Sequence, residues 1–270
     1  MSAGSSADSH APRVVELRGA VSDWLRRALL AVRGADRDLE AAELALSQGD
    51  APRALRHARA LARQVPEMPA CRAVAADAAA MSGLFEEALA HADALAASVP
   101  GSARVELARG VYARATGRGD AADEALRRAA TLRGDRDASR VASLLLAEAD
   151  LDSGAPARAR QWLRGLEGGA ASTLRASALF ELGRVDEAEA EARALPSPPT
   201  DGRHALLFAA IAPPGTPRRE IERALFRAYV LDVPGAARAL ARHVAAHPEA
   251  AEVVRPVVEA KGEVDAPLFR

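Results

Sequence analysis

The side chains that could do chemistry are few and widely scattered. His243 and His247 stand four apart, so on a helix they would share one face, a spacing able to hold one metal ion. No third ligand accompanies them and no glutamate-bearing zinc motif surrounds them, so a solvated face is the expectation, with no metal and no other cofactor. A phosphate-binding loop needs a lysine directly after a glycine-rich turn, and the sole lysine, Lys261, precedes Gly262 and Glu263, which excludes that motif. Gly117-Arg118-Gly119-Asp120-Ala121-Ala122 has the outline of a dinucleotide fingerprint but follows a helical segment where the fingerprint needs a strand. No serine stands in a G-x-S-x-G context. Cys71 is the only cysteine, sits in an alanine-rich stretch and reads as a small core residue. With no nucleophile, base and orienting group to name, the chain is not expected to be an enzyme.

The charges are equally unspecialised. Acidic and basic residues nearly cancel, for a formal net charge of -1, so nothing pulls the whole chain toward nucleic acid or an anionic membrane. Arg53, Arg56, Arg59 and Arg63 make a basic stripe, but the next matching segment carries Glu86, Glu87 and Asp93, so no basic track for nucleic acid continues. All but one of the cations are Arg and no Asn occurs, a skew that reads as GC-rich, bacterial coding bias. No apolar run approaches the ~18 residues of a membrane span, and the first residues lack a signal-peptide pattern, so a cytoplasmic address is expected.

Hydrophobic residues reach 49% while aromatics are only 3%, a balance that suits closely spaced, alanine-rich helices. Gly49, Gly83 and Gly117 lie 34 residues apart, and Pro66 and Pro100 share that spacing. After Gly49 come Ala54, Ala58 and Leu61; after Gly83 come Ala88, Ala92 and Leu95 at the same offsets. The frame returns at Gly154 with Ala159, Leu163 and Leu166, and at Gly183 with Ala188, Ala192 and Leu195. Between them Gly119 leads to Ala125, Ala129 and Leu132, which predicts a long turn in the third unit, and the shortened step from Ala159 to Ala188 predicts a short first helix in the fifth. Such spacing is one face of a helix. Seven residues before each glycine the chain is always small, at Ala42, Ala76, Gly110, Ala147 and Ala176, which lets two antiparallel helices approach closely. His57 and His91 fall at the same place in successive units, a product of the pattern and not a catalytic pair.

A 34-residue period, two helices per unit, small residues at their crossing, glycine in the turn and proline at the end resemble the tetratricopeptide repeat. The resemblance runs from about Ala35 to Thr200; no Trp occupies the family's early aromatic position, and Phe85 and Tyr112 are the aromatics near the turns. It implies an all-α fold, a right-handed α-solenoid of stacked antiparallel helix hairpins. The expected organisation is a tail over 1–11, a capping helix over 12–33, five repeats over 35–200, degenerate hairpins and a cap over 201–262, and a tail over 263–270. In the degenerate part Ile221 to Leu231 and Gly235 to Ala246 pair as a sixth hairpin, with a last helix from Glu249 to Lys261. Pro196 to Pro199 and Pro213 to Pro217 break helices and mark boundaries.

What the family's geometry implies is a concave surface lined by the first helix of each repeat. Carried onto this sequence, the lining positions are Asp36, Leu39, Glu43, Asp77, Met81, Arg104, Leu107, Val111, Arg114, Leu144, Glu148, Asp152, Phe180 and Glu181, in which carboxylates outnumber guanidiniums. The resemblance therefore implies a scaffold or adaptor that takes a protein or peptide partner, a basic one, into an acidic groove; nucleic-acid and membrane binding are not expected. The carboxylate-clamping subgroup of the family uses paired Asn and Lys, which this sequence cannot supply there. The alternative is a regulatory or sensory module that controls an effector or binds a small ligand.

Overall fold

The computed structural model describes residues 35–66, 68–195, 199, 201–212 and 215–260. The expected capping helix over 12–33 and both expected tails lie outside the described residues. Among those described there are α-helices and one 3-10 turn but no strand: the fold is an all-α, solenoid-like succession of helices packed on their neighbours in sequence. They are α1 Ala35–Ser47, α2 Ala51–Gln64, α3 Pro69–Met81, α4 Phe85–Ser98, α5 Ala103–Ala115, α6 Gly119–Thr131, α7 Arg136–Asp152, α8 Pro156–Trp162, α9 Gly169–Glu181, α10 Val185–Ala192, α11 Gly202–Ile211, α12 Arg218–Val230, α13 Ala236–Ala246 and α14 Ala251–Ala260.

The turn glycines explain the regularity. Gly49, Gly83, Gly117, Gly154 and Gly183 all have φ between 73° and 75°, a left-handed conformation that a residue with a Cβ adopts only at a cost. In each turn the next N–H reaches back five residues to close the helix: Asp50 to the Ala45 carbonyl at 2.9 Å, Leu84 to Ala79 at 2.9 Å, Arg118 to Ala113 at 2.8 Å and Arg184 to Leu179 at 2.9 Å.

Two expectations of frame are corrected. The third turn is no longer than the others, because Gly117 is its left-handed residue and three residues separate α5 from α6, as three separate α3 from α4. The equivalents of Ala88, Ala92 and Leu95 are then Ala122, Leu126 and Ala129, all fully buried. The fifth unit's first helix is not short either: α9 has 13 residues, like α1, α3 and α5. The lost length is in the second helices, α8 with 7 residues and α10 with 8. Arg175 of α9 offsets the early end of α8, donating hydrogen bonds to the carbonyls of Leu163 and Leu166 while its guanidinium also holds Glu191 at 2.6 Å.

The described residues form two compact units, 35–146 and 147–260, with the division inside α7 and not at either proline-rich segment. In the first, α1 packs on α2, α2 on α3, α3 on α4, α4 on α5 and α5 on α6. Leu61, Val74, Leu95, Val105, Tyr112 and Leu126 fill its core, and the Phe85 and Tyr112 rings meet with centroids 6.3 Å apart. The carboxylates of α4 become cross-links: Arg59 of the α2 stripe grips Glu87, Arg118 holds Glu86 and Arg109 of α5 holds Asp93.

In the second unit α9 packs on α8, α10 and α11, while α12 packs on α11 as well as on α13, so the C-terminal hairpin gains a helix that the sequence did not announce. Leu225, Tyr229, Leu240, Val254 and Val258 form a core of their own there. Its turn between α12 and α13 repeats the glycine geometry with Asp232, whose φ is 52°, in the glycine's seat, and Val233 N–H reaches the Ala228 carbonyl at 3.0 Å.

Candidate functional site

The positions expected to line a groove divide between the two units, and burial separates those that offer surface from those that do not. In the first unit Leu39, Leu107 and Val111 are core residues. Asp77 is only 3% exposed. The reason lies in α3, where every residue from Ala73 to Ala80 is buried, so the helix is covered on all its sides and its one carboxylate with it. Asp77 and Glu43 both have polar partners, and neither is a free charge. Arg104 is half-buried and bound to Asp135, Nη2 to Oδ2 at 2.7 Å. Asp135 also caps α7 by accepting the Ala138 N–H, and that bond, with the Arg104 guanidinium, holds its carboxyl below the usual range. Arg114 is exposed and 3.9 Å from Asp123; Leu144 is half-buried. Asp36 is the second residue of α1, and its side chain lies outside the described residues. Of the expected positions in this unit Arg114 and Met81 stay open, Met81 being 37% exposed, and Leu84 lies open across the same turn.

In the second unit three first-helix ends converge. Asp152 closes α7, Glu181 closes α9 and Arg203 stands near the start of α11. Arg203 donates to Asp152 from a seat that leaves its own side chain largely covered. Glu181 is exposed at the surface, yet its carboxyl is pushed above the usual range, chiefly by partial desolvation and further by the like charge of Asp152, with Arg203 opposing. Next to it Phe180 is 37% exposed, and Leu182 and Val185 are open on the turn that follows. Glu148, one turn before Asp152 on α7, is half-buried. The result is an apolar edge beside two carboxylates, of which Asp152 is held by Arg203, able to bind by contact and charge. Sequence reasoning missed Arg203 because α11 follows the fifth repeat, where no glycine frame points to it.

No family model matches the chain. No curated protein matches it either.

Of the other candidates for chemistry, His243 has a buried Nε2 without a hydrogen-bond partner. His243 and His247 lie with ring centroids 4.8 Å apart, and the nearest carboxylate, Glu222, is 3.5 Å from His243 Nε2 but already bound by Arg218 at 2.7 Å. Among the described residues no three His, Cys, Asp or Glu side chains gather where they could hold a metal. Cys71 is buried, and burial pushes its thiol up to about 11, far from a reactive thiolate. Burial likewise lowers the proton affinity of His204, which packs at the start of α11. No helix among the described residues is long and apolar enough to cross a membrane.

Proposed function

We propose that the chain is a non-catalytic protein-interaction scaffold of tetratricopeptide-like hairpins, acting in the cytoplasm, that takes a peptide or protein segment on the exposed ends of its first helices. The observation that carries this reading is selective exposure. Val74 of α3 and Leu174 and Leu179 of α9 are buried, whereas Met81 and Phe180, each the last or second-last residue of its helix, stay 37% exposed next to open Leu84 and to open Leu182 and Val185, and neighbouring large apolar side chains left open on a packed helical surface mark binding surfaces. Beside Phe180 the excess of carboxylate over guanidinium favours a partner that carries Arg or Lys next to an apolar anchor.

The acidic character belongs to fewer residues than the sequence alone suggests, since Asp77 is buried and Asp152 is paired. Glu148 and Glu181 are therefore the residues to reverse. With a partner captured by the wild-type chain, the double variant Glu148→Lys, Glu181→Lys should bind it at least about tenfold more weakly at low salt, with the gap closing as ionic strength rises. Equal affinity across the salt series would remove the second unit's carboxylates from the binding surface.

A further inference from the structure

Five residues before the first three turn glycines stand Leu44, Ala78 and Tyr112, on α1, α3 and α5. Ala78 and Tyr112 are fully buried, whereas Leu44 is 51% exposed. Their neighbours explain the difference. α3 packs on α2 and α4, and α5 on α4 and α6, so each has the second helix of the preceding unit against it. α1 packs on α2 and α3, which both follow it, and no described helix precedes it. In the third unit the preceding helix covers this position with a ring: Phe85, the first residue of α4, meets Tyr112 with centroids 6.3 Å apart. One unit earlier the same two positions are Ala51, the first residue of α2, and Ala78, both buried. One unit earlier again they are Leu17 and Leu44. The match extends beyond this pair. Ala54, Leu55 and Ala58 lie on the buried face of α2, and 34 residues before them stand Ala20, Val21 and Trp24; Arg27, in the place of Leu61, is the polar exception. Charge fits as well. Residues 12–33 carry five arginines against Glu16 and Asp23, while α1 carries Asp36, Asp38, Glu40 and Glu43 against Arg37, with Glu40 exposed and Glu43 half-buried.

We propose that the open flank of α1 is a docking surface for this chain's own residues 17–30, which take the place of a second helix ahead of the first hairpin and set Leu17 on Leu44 as Phe85 is set on Tyr112. The bounds are those of α2 moved back by one 34-residue period. Docking removes the Leu44 side chain from water at an end of the repeat array, where an uncovered helix face has no next repeat to bury it. It also closes that end to outside partners. Met81 and Leu84 then remain this unit's open apolar turn residues, but the docking itself does not rest on the proposed function.

The test uses the full chain without a partner. A benzophenone amino acid replaces Leu44, and the photoproduct is sized and mapped by mass spectrometry. Thermal midpoints are measured for the wild type, Leu17→Ala, Leu44→Ala and the double variant. The expected product is a monomer crosslinked from position 44 into residues 12–33. Each single variant is expected to lower the midpoint by at least about 2 °C, and the double variant to lose less than the two single losses combined, because both remove the same contact. A crosslink to any other segment, a covalent dimer, no crosslink, or a double-variant loss equal to the sum of the single losses refutes the docking; where a variant does not fold, the crosslink decides.

Discussion

A Cβ added to Gly110 would lie 2.6 Å from Leu126 Cγ and 3.2 Å from the Ala122 carbonyl oxygen, so even one methyl group has no room where α5 crosses α6. Leu126 could swing aside, but the backbone oxygen could not. Gly110→Ala is therefore expected to lower unfolding free energy by ~1 to 3 kcal/mol, and Ala88→Leu, at a fully buried crossing on α4, by a similar amount. Arg56→Ala on the exposed face of α2 should stay within about 0.5 kcal/mol of the wild type by urea denaturation. Equal stability of Gly110→Ala and the wild type would mean that the helices are not this close. These small residues were legible in the sequence because their spacing from the turn glycine never varies. The burial of Asp77 was not, since a positional rule assumes that one face of the helix is open and says nothing of a helix whose alanines let neighbours close in all round.

At the scale of elements, the turn decides. A left-handed residue ends the first helix and starts the return, and five glycines share that conformation to within two degrees. The sixth turn, between the two helices that the sequence pairs as a sixth hairpin, puts Asp232 there in place of a glycine. Placing an L-residue in this conformation costs roughly 1 to 2 kcal/mol, and Asp bears it better than Ala. In chain variants compared by thermal unfolding, Asp232→Gly is expected to exceed Asp232→Ala in stability by about 1 kcal/mol, because both lose the carboxylate and differ mainly in backbone preference. A more stable Asp232→Ala would contradict the turn assignment. Element type and pairing were legible from the 3.6-residue period and the glycines. The shortened α8 was not, because a missing turn in a second helix and a short first helix produce the same compressed spacing between Ala159 and Ala188. What supports the short form is Arg175, whose hydrogen bonds to carbonyls are invisible to any pattern of apolar residues.

Over the whole molecule, each compact unit is built from helices that mostly touch their sequence neighbours, so its stability is a sum of local pieces and its surface is a row of similar helix ends. Periodicity reveals such a row but not what it binds, since function then lies in which few side chains each end leaves open. Met81 and Phe180 are two of them, and only burial distinguishes them from Leu39, Leu107 and Val111, which the sequence ranks alike. The most direct measurement is photo-crosslinking of the full chain with a benzophenone amino acid placed singly at Met81, Phe180 and Arg56, in native lysate and then with the recovered partner purified. The account predicts a discrete crosslinked species to the same partner from position 81, from position 180 or from both, lost on competition with unlabelled wild-type chain and absent from position 56. Crosslinking confined to position 56, or no competable species from 81 and 180 while the chain still captures its partner, would contradict it.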